Sequence, residues 1–157
     1  MIRLATPNDA AAIAAIWNTA ILNTTITFNP DPKSAADVAA LITETNPCLV
    51  YEDADRVLGF ARYFPFRGGR GYVHTVELTV MLHDDAQGHG AGRALVNDLC
   101  ELAQKAGKRS MFAGCSAENP GAVAFHAKLG FEQLAILPQV GFKFGRWIDL
   151  VLMQKRL

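Results

Sequence analysis

The sequence predicts an α/β (α+β) chain: a mixed central β-sheet of about seven strands flanked by about four helices. Three observations predict it. Stretches with period-2 or β-branched apolar patterning alternate with stretches of helical apolar spacing. Their order, βααββ and then βαβαββ, implies one sheet with helices on both faces. A length of 157 residues, half of them hydrophobic, suits one domain over residues 1–157 with a sizeable core.

Each element has a local reason. "IRL" at 2–4 reads as a short strand. "TPND" then starts a helix: Thr6 caps, Pro7 suits the first helical position and Asp9 favours the positive end. Ile13, Ile16, Trp17, Ala20 and Ile21 give that helix one apolar face, read as core rather than site. "NTTITFNPDPKS" is a loop, and Ser34 with Asp37 opens a second helix carrying Val38, Leu41 and Ile42 inward. "CLVYE" and "VLGFARYF" flank the turn "DADR" as a hairpin. "PFRGGRG" is a loop, and "YVHTVELTVML" at 72–82 is a long strand. A helix with Leu95, Val96, Leu99, Leu102 and Ala103 inward follows and stops at Gly107. "SMFAGCS" is a strand, and "NPGAVAFHAKLG" a short helix from about Pro120 to Gly130. "FEQLAIL" and "GRWIDLVLMQKRL" close the sheet.

Composition narrows the function classes. Formal net charge is zero, so a nucleic-acid-binding surface is not favoured. Cys48, Cys100 and Cys115 are widely spaced and odd in number, which reads as reduced thiols in a cytoplasmic protein. "MIRLATPNDA" lacks the apolar centre of a secretory leader, and no apolar run approaches the ~18 residues of a membrane span. No histidine, cysteine or carboxylate cluster has metal-ligand spacing, so no metal is expected. His74 and His83 are read as surface or strand residues.

"HDDAQGHGAGRAL" at 83–95 holds glycine at 88, 90 and 92, between a strand and a helix. The P-loop needs a Gly-Lys pair and then a hydroxyl; Arg93, Ala94 and Leu95 stand there instead. The Rossmann fingerprint needs a third glycine, where the chain has Arg93 or Leu95, and no acidic residue ends a strand ~20 residues on. "QGHGAG" instead fits [RQ]-x-x-G-x-[GA], a turn whose bare N–H groups and helix N-terminus suit a diphosphate. The alternative is a strand-to-helix turn with no ligand.

That loop, followed by Asn119 and "FHAKLGF", resembles the acetyl-CoA pyrophosphate loop and later motifs of the GNAT superfamily of N-acetyltransferases. "NTTITF", "YVHTVELTVML" and "GFKFGRWIDLVLMQ" are similar to its phosphinothricin and methionine sulfoximine N-acetyltransferase branch, over almost the whole chain. Leu78, Met81 and "AGCSAEN" depart from that branch's usual residues, which bears on substrate detail more than on the reaction.

The resemblance implies an acetyl-CoA-dependent N-acetyltransferase acting on the α-amino group of a small amino-acid-like substrate. Direct transfer in a ternary complex, a homodimer and no metal are implied as well. Only the free amine attacks a thioester, and Glu77 in its β-branched strand is the candidate base. His126, where much of the superfamily has tyrosine, is the candidate to protonate the departing thiolate or hold the sulfur. The cofactor residues implied are Val80, Met81 and Leu82 for the pantetheine arm, then Gln87, Gly88, His89, Gly90, Ala91, Gly92 and Arg93 for the pyrophosphate, with Asn119 further along. Strand N–H groups near Leu82 are expected to stabilise the developing oxyanion. The acceptor side is read as Glu77, Leu78, Thr79, Thr25 and Phe28, with Arg67 as first choice for a carboxylate and Arg70, Lys143 or Arg146 as alternatives. The competing readings are acetylation of another amine (a polyamine, a drug or a protein terminus) and a non-catalytic CoA-binding module.

Overall fold

The computed structural model describes residues 1–157. Seven strands form one mixed sheet in the order β1-β2-β3-β4-β5-β7-β6. They are β1 (Ile2–Leu4), β2 (Cys48–Asp53), β3 (Arg56–Pro65), β4 (Thr75–Leu82), β5 (Ser110–Ser116), β6 (Glu132–Lys143) and β7 (Arg146–Arg156). Four helices join them: α1 (Ala10–Asn23), α2 (Ala35–Leu41), α3 (Ala91–Lys105) and α4 (Pro120–Lys128). All neighbours pair antiparallel except β4 with β5.

The chain ends of the elements follow local chemistry. The β2–β3 hairpin turns through Ala54 and Asp55, both at positive φ, as a two-residue turn matched to strand twist requires. Ser34 caps α2: its hydroxyl accepts from Asp37 N–H at 3.0 Å, and Asp37 returns the bond to Ser34 N–H at 2.8 Å. At α1 the expected roles are exchanged. A 3-10 turn at Pro7–Asp9 precedes the helix, and Thr6 donates to the Asp9 carboxylate instead of capping with its own oxygen. Hydrogen bonds from Arg3 hold the Asp9 carboxyl down at about 2.

Two elements differ from their expected extent. The strand expected from residue 72 starts at Thr75, because Arg70–Tyr72 form a 3-10 turn that closes the preceding loop. The strand after α4 runs on to Lys143, since irregular register at two points lets it continue past Pro138 alongside β7.

Strand alternation divides the core. On one face Val50 and Phe60 pack against Ile13, Trp17 and Ile21 of α1 and Val38 of α2. On the other, Ala61, Val76 and Met111 pack against Leu95, Val96, Leu99 and Ala103 of α3. The three cysteines are buried and unpaired.

Candidate active site

β4 and β5 pair only at Thr75–Ser110, Val76–Met111 and Glu77–Phe112. Beyond Glu77, β4 stays on β3 as far as Leu82 while β5 stays on β7 as far as Ser116. The two strands part, and the β4 edge from Leu78 to Leu82 faces no strand on its β5 side. Unpaired strand N–H and C=O groups are a template for an extended ligand.

Two adjoining cavities lie at this parting. The larger, about 510 Å³, runs to Leu82, Gln87, Gly92 and Phe125. The smaller, about 260 Å³, holds Glu77, Thr79, Gly114 and Cys115 under the rings of Trp17, Phe28 and Phe64. Ile26, Val80, Met81, Asn119, Ala122 and His126 border both.

The glycine loop leads from the larger cavity into α3. Gly88 and Gly90 have φ of +76° and +79°, the left-handed region that other residues resist. Ala94 N–H makes the first bond to Gly90 C=O, at 3.0 Å, so the N–H groups of Ala91, Gly92 and Arg93 precede the helical ladder. Gln87 donates to Asp84 at 2.9 Å and lines the cavity. Gly88, His89, Gly90 and Arg93 are exposed and line neither cavity, whereas Ala91 and Gly92 are buried. Asn119 accepts from Ala122 N–H at 3.2 Å and caps α4, which places it where the cavities meet.

Glu77 is half-buried, and burial without a protein partner pushes its carboxyl above the ordinary range. Gly114 makes room for it: a methyl group there would come within 3.1 Å of Glu77 Oε1. His126 Nδ1 lies 2.8 Å from Ala122 C=O. A carbonyl only accepts, so Nδ1 carries the proton and Nε2 is a bare acceptor in the neutral ring. Burial lowers the His126 pKa, favouring that neutral form, and Nε2 has no partner. Cys115 Sγ lies 3.6 Å from Nδ1, but burial pushes the thiol up to about 11.

The acceptor-side expectations separate. Glu77, Thr79, Leu78 and Phe28 border the smaller cavity. The Leu78 side chain is buried in the α3 core. Thr25 lines neither cavity; its hydroxyl donates to Glu118 at 2.8 Å and ties down the α1–α2 loop. Arg67 is exposed beside Tyr72, 6.0 Å from the ring centre, and neither it nor Arg70 reaches the cavities. Arg146 is paired with Glu118. Lys143 is buried and donates to Thr24 C=O at 2.6 Å and Thr27 C=O at 2.8 Å, so it clamps the same loop.

Sequence patterning missed Gly114 and Gly141. Each acts across elements, and no local spacing marks it. Gly141 of β6 seats the Phe28 ring, which a Cβ there would overlap. Gly141→Ala is expected to displace Phe28, raising KM for the acceptor several-fold and leaving KM for the acyl donor unchanged. Two-substrate steady-state kinetics check this.

The Acetyltransferase (GNAT) domain family model matches residues 2–152. The chain is 41% identical over 160 residues to the L-amino acid N-acyltransferase MnaT of Escherichia coli K12, covering 99% of this chain and 93% of that protein. It is 38% identical over 160 residues to the L-methionine sulfoximine/L-methionine sulfone acetyltransferase of Salmonella typhimurium, covering 99% and 94%. The acetyltransferase YncA of Salmonella typhimurium, solved with its cofactor acetyl-CoA, superposes with a TM-score of 0.94. That pair shares 38% identity and covers 100% of this chain and 93% of the other.

Proposed function

The chain belongs to the GNAT acetyltransferase family, and from that premise we propose that it moves the acetyl group of acetyl-CoA onto the α-amino nitrogen of a small amino-acid-like acceptor. Methionine sulfoximine, methionine sulfone and phosphinothricin are the acceptor type. The observation that carries this reading is the meeting of two cavities at the strand parting, with a half-buried carboxylate in one and a glycine loop ending the other.

Acetyl-CoA, when bound, supplies an activated thioester carbonyl. The larger cavity suits it: a free strand edge for an extended arm, and helix N–H groups at left-handed glycines for a diphosphate. Glu77, directly or through water, takes the ammonium proton of the acceptor and frees its lone pair. Its raised pKa brings it nearer the amine's than an exposed carboxylate would be. The N–H groups of the open β4 edge donate to the carbonyl oxygen as charge grows there. His126, neutral with an unprotonated Nε2, walls the junction, and water protonates the departing thiolate. The Cys115 thiol, pushed up to about 11 by burial and lying beside a His126 Nδ1 that already bonds the Ala122 carbonyl, is a poor acyl carrier. That favours direct transfer over an acyl-enzyme.

The whole chain, 1–157, acts as one domain. Its β6–β7 face exposes Leu134, Ile136, Val140, Phe142 and Trp147, an apolar surface that supports a homodimer. Three unpaired buried cysteines fit a reducing, cytoplasmic setting.

Initial rates with both substrates varied test the reading. Intersecting double-reciprocal lines with methionine sulfone, and slower turnover of spermidine, are expected. Parallel lines would indicate an acyl-enzyme, and preference for spermidine a polyamine enzyme. Tight acetyl-CoA binding without turnover of any amine would leave only a CoA-binding module.

A further inference from the structure

One wall of the cavities is held by no secondary structure. The chain leaving α1 supplies Thr24 and Ile26 to the larger cavity, and Ile26, Thr27 and Phe28 to the smaller. Residues 25–33 make no backbone–backbone hydrogen bond. A segment without such bonds is free to shift unless side chains fix it.

Three links fix it, and all lead to the β6–β7 hairpin. Strand alternation sends Gly141 and Lys143 inward and leaves Phe142 and Phe144 exposed. Gly141 leaves room for the Phe28 ring. Thr25 donates to Glu118 at 2.8 Å, and Arg146 donates to the same carboxylate at 2.9 Å. Lys143, only 2% exposed, donates to Thr24 C=O at 2.6 Å and to Thr27 C=O at 2.8 Å.

The Lys143 link is the one that carries charge into the loop. Burying an ammonium is costly, and carbonyls offset that cost only where the bonds are good. Both bonds here are charge-assisted and short. Thr24 is also the C-cap of α1, so the ammonium lies at the negative end of that helix, where a cation is favoured. The Phe144 ring centre is 5.1 Å from Nζ. The two carbonyls bracket Thr25 and Ile26, and Ile26 borders both cavities. The geometry therefore spends a buried charge on the place where the loop meets the site.

We propose that Lys143 is a positioning residue for the transfer: it holds residues 24–28 as a fixed wall of the acceptor cavity, and that wall sets which acceptor side chains fit. It acts through the loop and does not touch the acceptor. This rests on the amino-acid reading above. The hairpin is then the frame of the site, with its inward residues gripping the loop through Phe28, Thr24 and Thr27.

The test compares methionine sulfone with phenylalanine, a bulkier acceptor, in Lys143→Met, which keeps the stem and removes the donors. The substitution is expected to lower kcat/KM for methionine sulfone about tenfold, within the ~10²-fold that a 1 Å misplacement can cost. With a looser wall, kcat/KM for phenylalanine should hold or rise, and the Kd of acetyl-CoA should change less than about twofold. Thr25→Val removes only the hydroxyl link of the same loop and should lower the preference for methionine sulfone about threefold. An unchanged kcat/KM for methionine sulfone in Lys143→Met, or an equal fall for both acceptors, would overturn the assignment while leaving the amino-acid reading intact. If Lys143→Met does not fold, Thr25→Val decides: a shifted preference supports the assignment and an unshifted one overturns it. Failure of the unmodified enzyme to acetylate methionine sulfone would contradict the amino-acid reading and this assignment with it.

Discussion

Glu77→Gln lowers kcat about a hundredfold at neutral pH, the lower end of what a positioned general base contributes, and the deficit narrows as the pH rises. Glutamine keeps the shape of the side chain beside Gly114 but accepts no proton. At high pH the acceptor amine is already neutral, so the base has less to do. The acid limb of the wild-type profile should lie above the ordinary carboxylate range, because burial raises the Glu77 pKa. Stability should move the other way from activity. A carboxylate with a raised folded-state pKa opposes folding as the pH climbs from its unfolded-state value, and fully above the folded one, since the unfolded chain releases the proton more readily. Replacing it with a neutral isostere removes that opposition, so the thermal midpoint at pH 7 should hold or rise. A parallel loss of kcat at every pH, or a lowered midpoint, would argue for a structural role instead.

Gly90→Val raises KM for acetyl-CoA roughly thirtyfold and leaves KM for the acceptor near its wild-type value. Gly90 has a φ of +79° at the N-terminus of α3, where a β-branched residue is strained by about 1–3 kcal/mol. Nothing lies within 4 Å of the added Cβ, so the surroundings allow the loop to relax without unfolding the core. In the proposed complex, relaxation moves the N–H groups of Ala91, Gly92 and Arg93 out of place for the diphosphate, and binding must restore the strain. Thirtyfold corresponds to about 2 kcal/mol. Calorimetric binding of acetyl-CoA, beside a melting curve, separates this from misfolding. Unchanged affinity would mean that the loop is only a turn.

The bend of the glycine loop and the place of Glu77 on its strand were legible in the sequence because their signals are local. Three glycines in five residues between a strand and a helix ask for a positive φ, and two of them have it. Glu77 stands on a strand whose period of two sends it to one face. The motif's outer residues His89 and Arg93 lie exposed outside the cavities.

The acceptor side was harder to read for a physical reason. Arg67 sits near Glu77 in sequence, but the turn at Arg70–Tyr72 carries its loop out to solvent. Trp17 serves both as core and as cavity wall, which helical periodicity alone assigned to the core. Lys143 and Gly141 act on a loop more than a hundred positions away in sequence, separations of 119 and 116 residues for the two Lys143 bonds.

The most direct measurement is mass spectrometry of the reaction of the wild-type enzyme with acetyl-CoA and methionine sulfone, with the CoA released counted in the same sample. The predicted result is methionine sulfone acetylated on its α-nitrogen in a one-to-one ratio with free CoA, and protein of unchanged mass. CoA released while methionine sulfone stays unmodified, or an acetyl group retained on the protein, would contradict it.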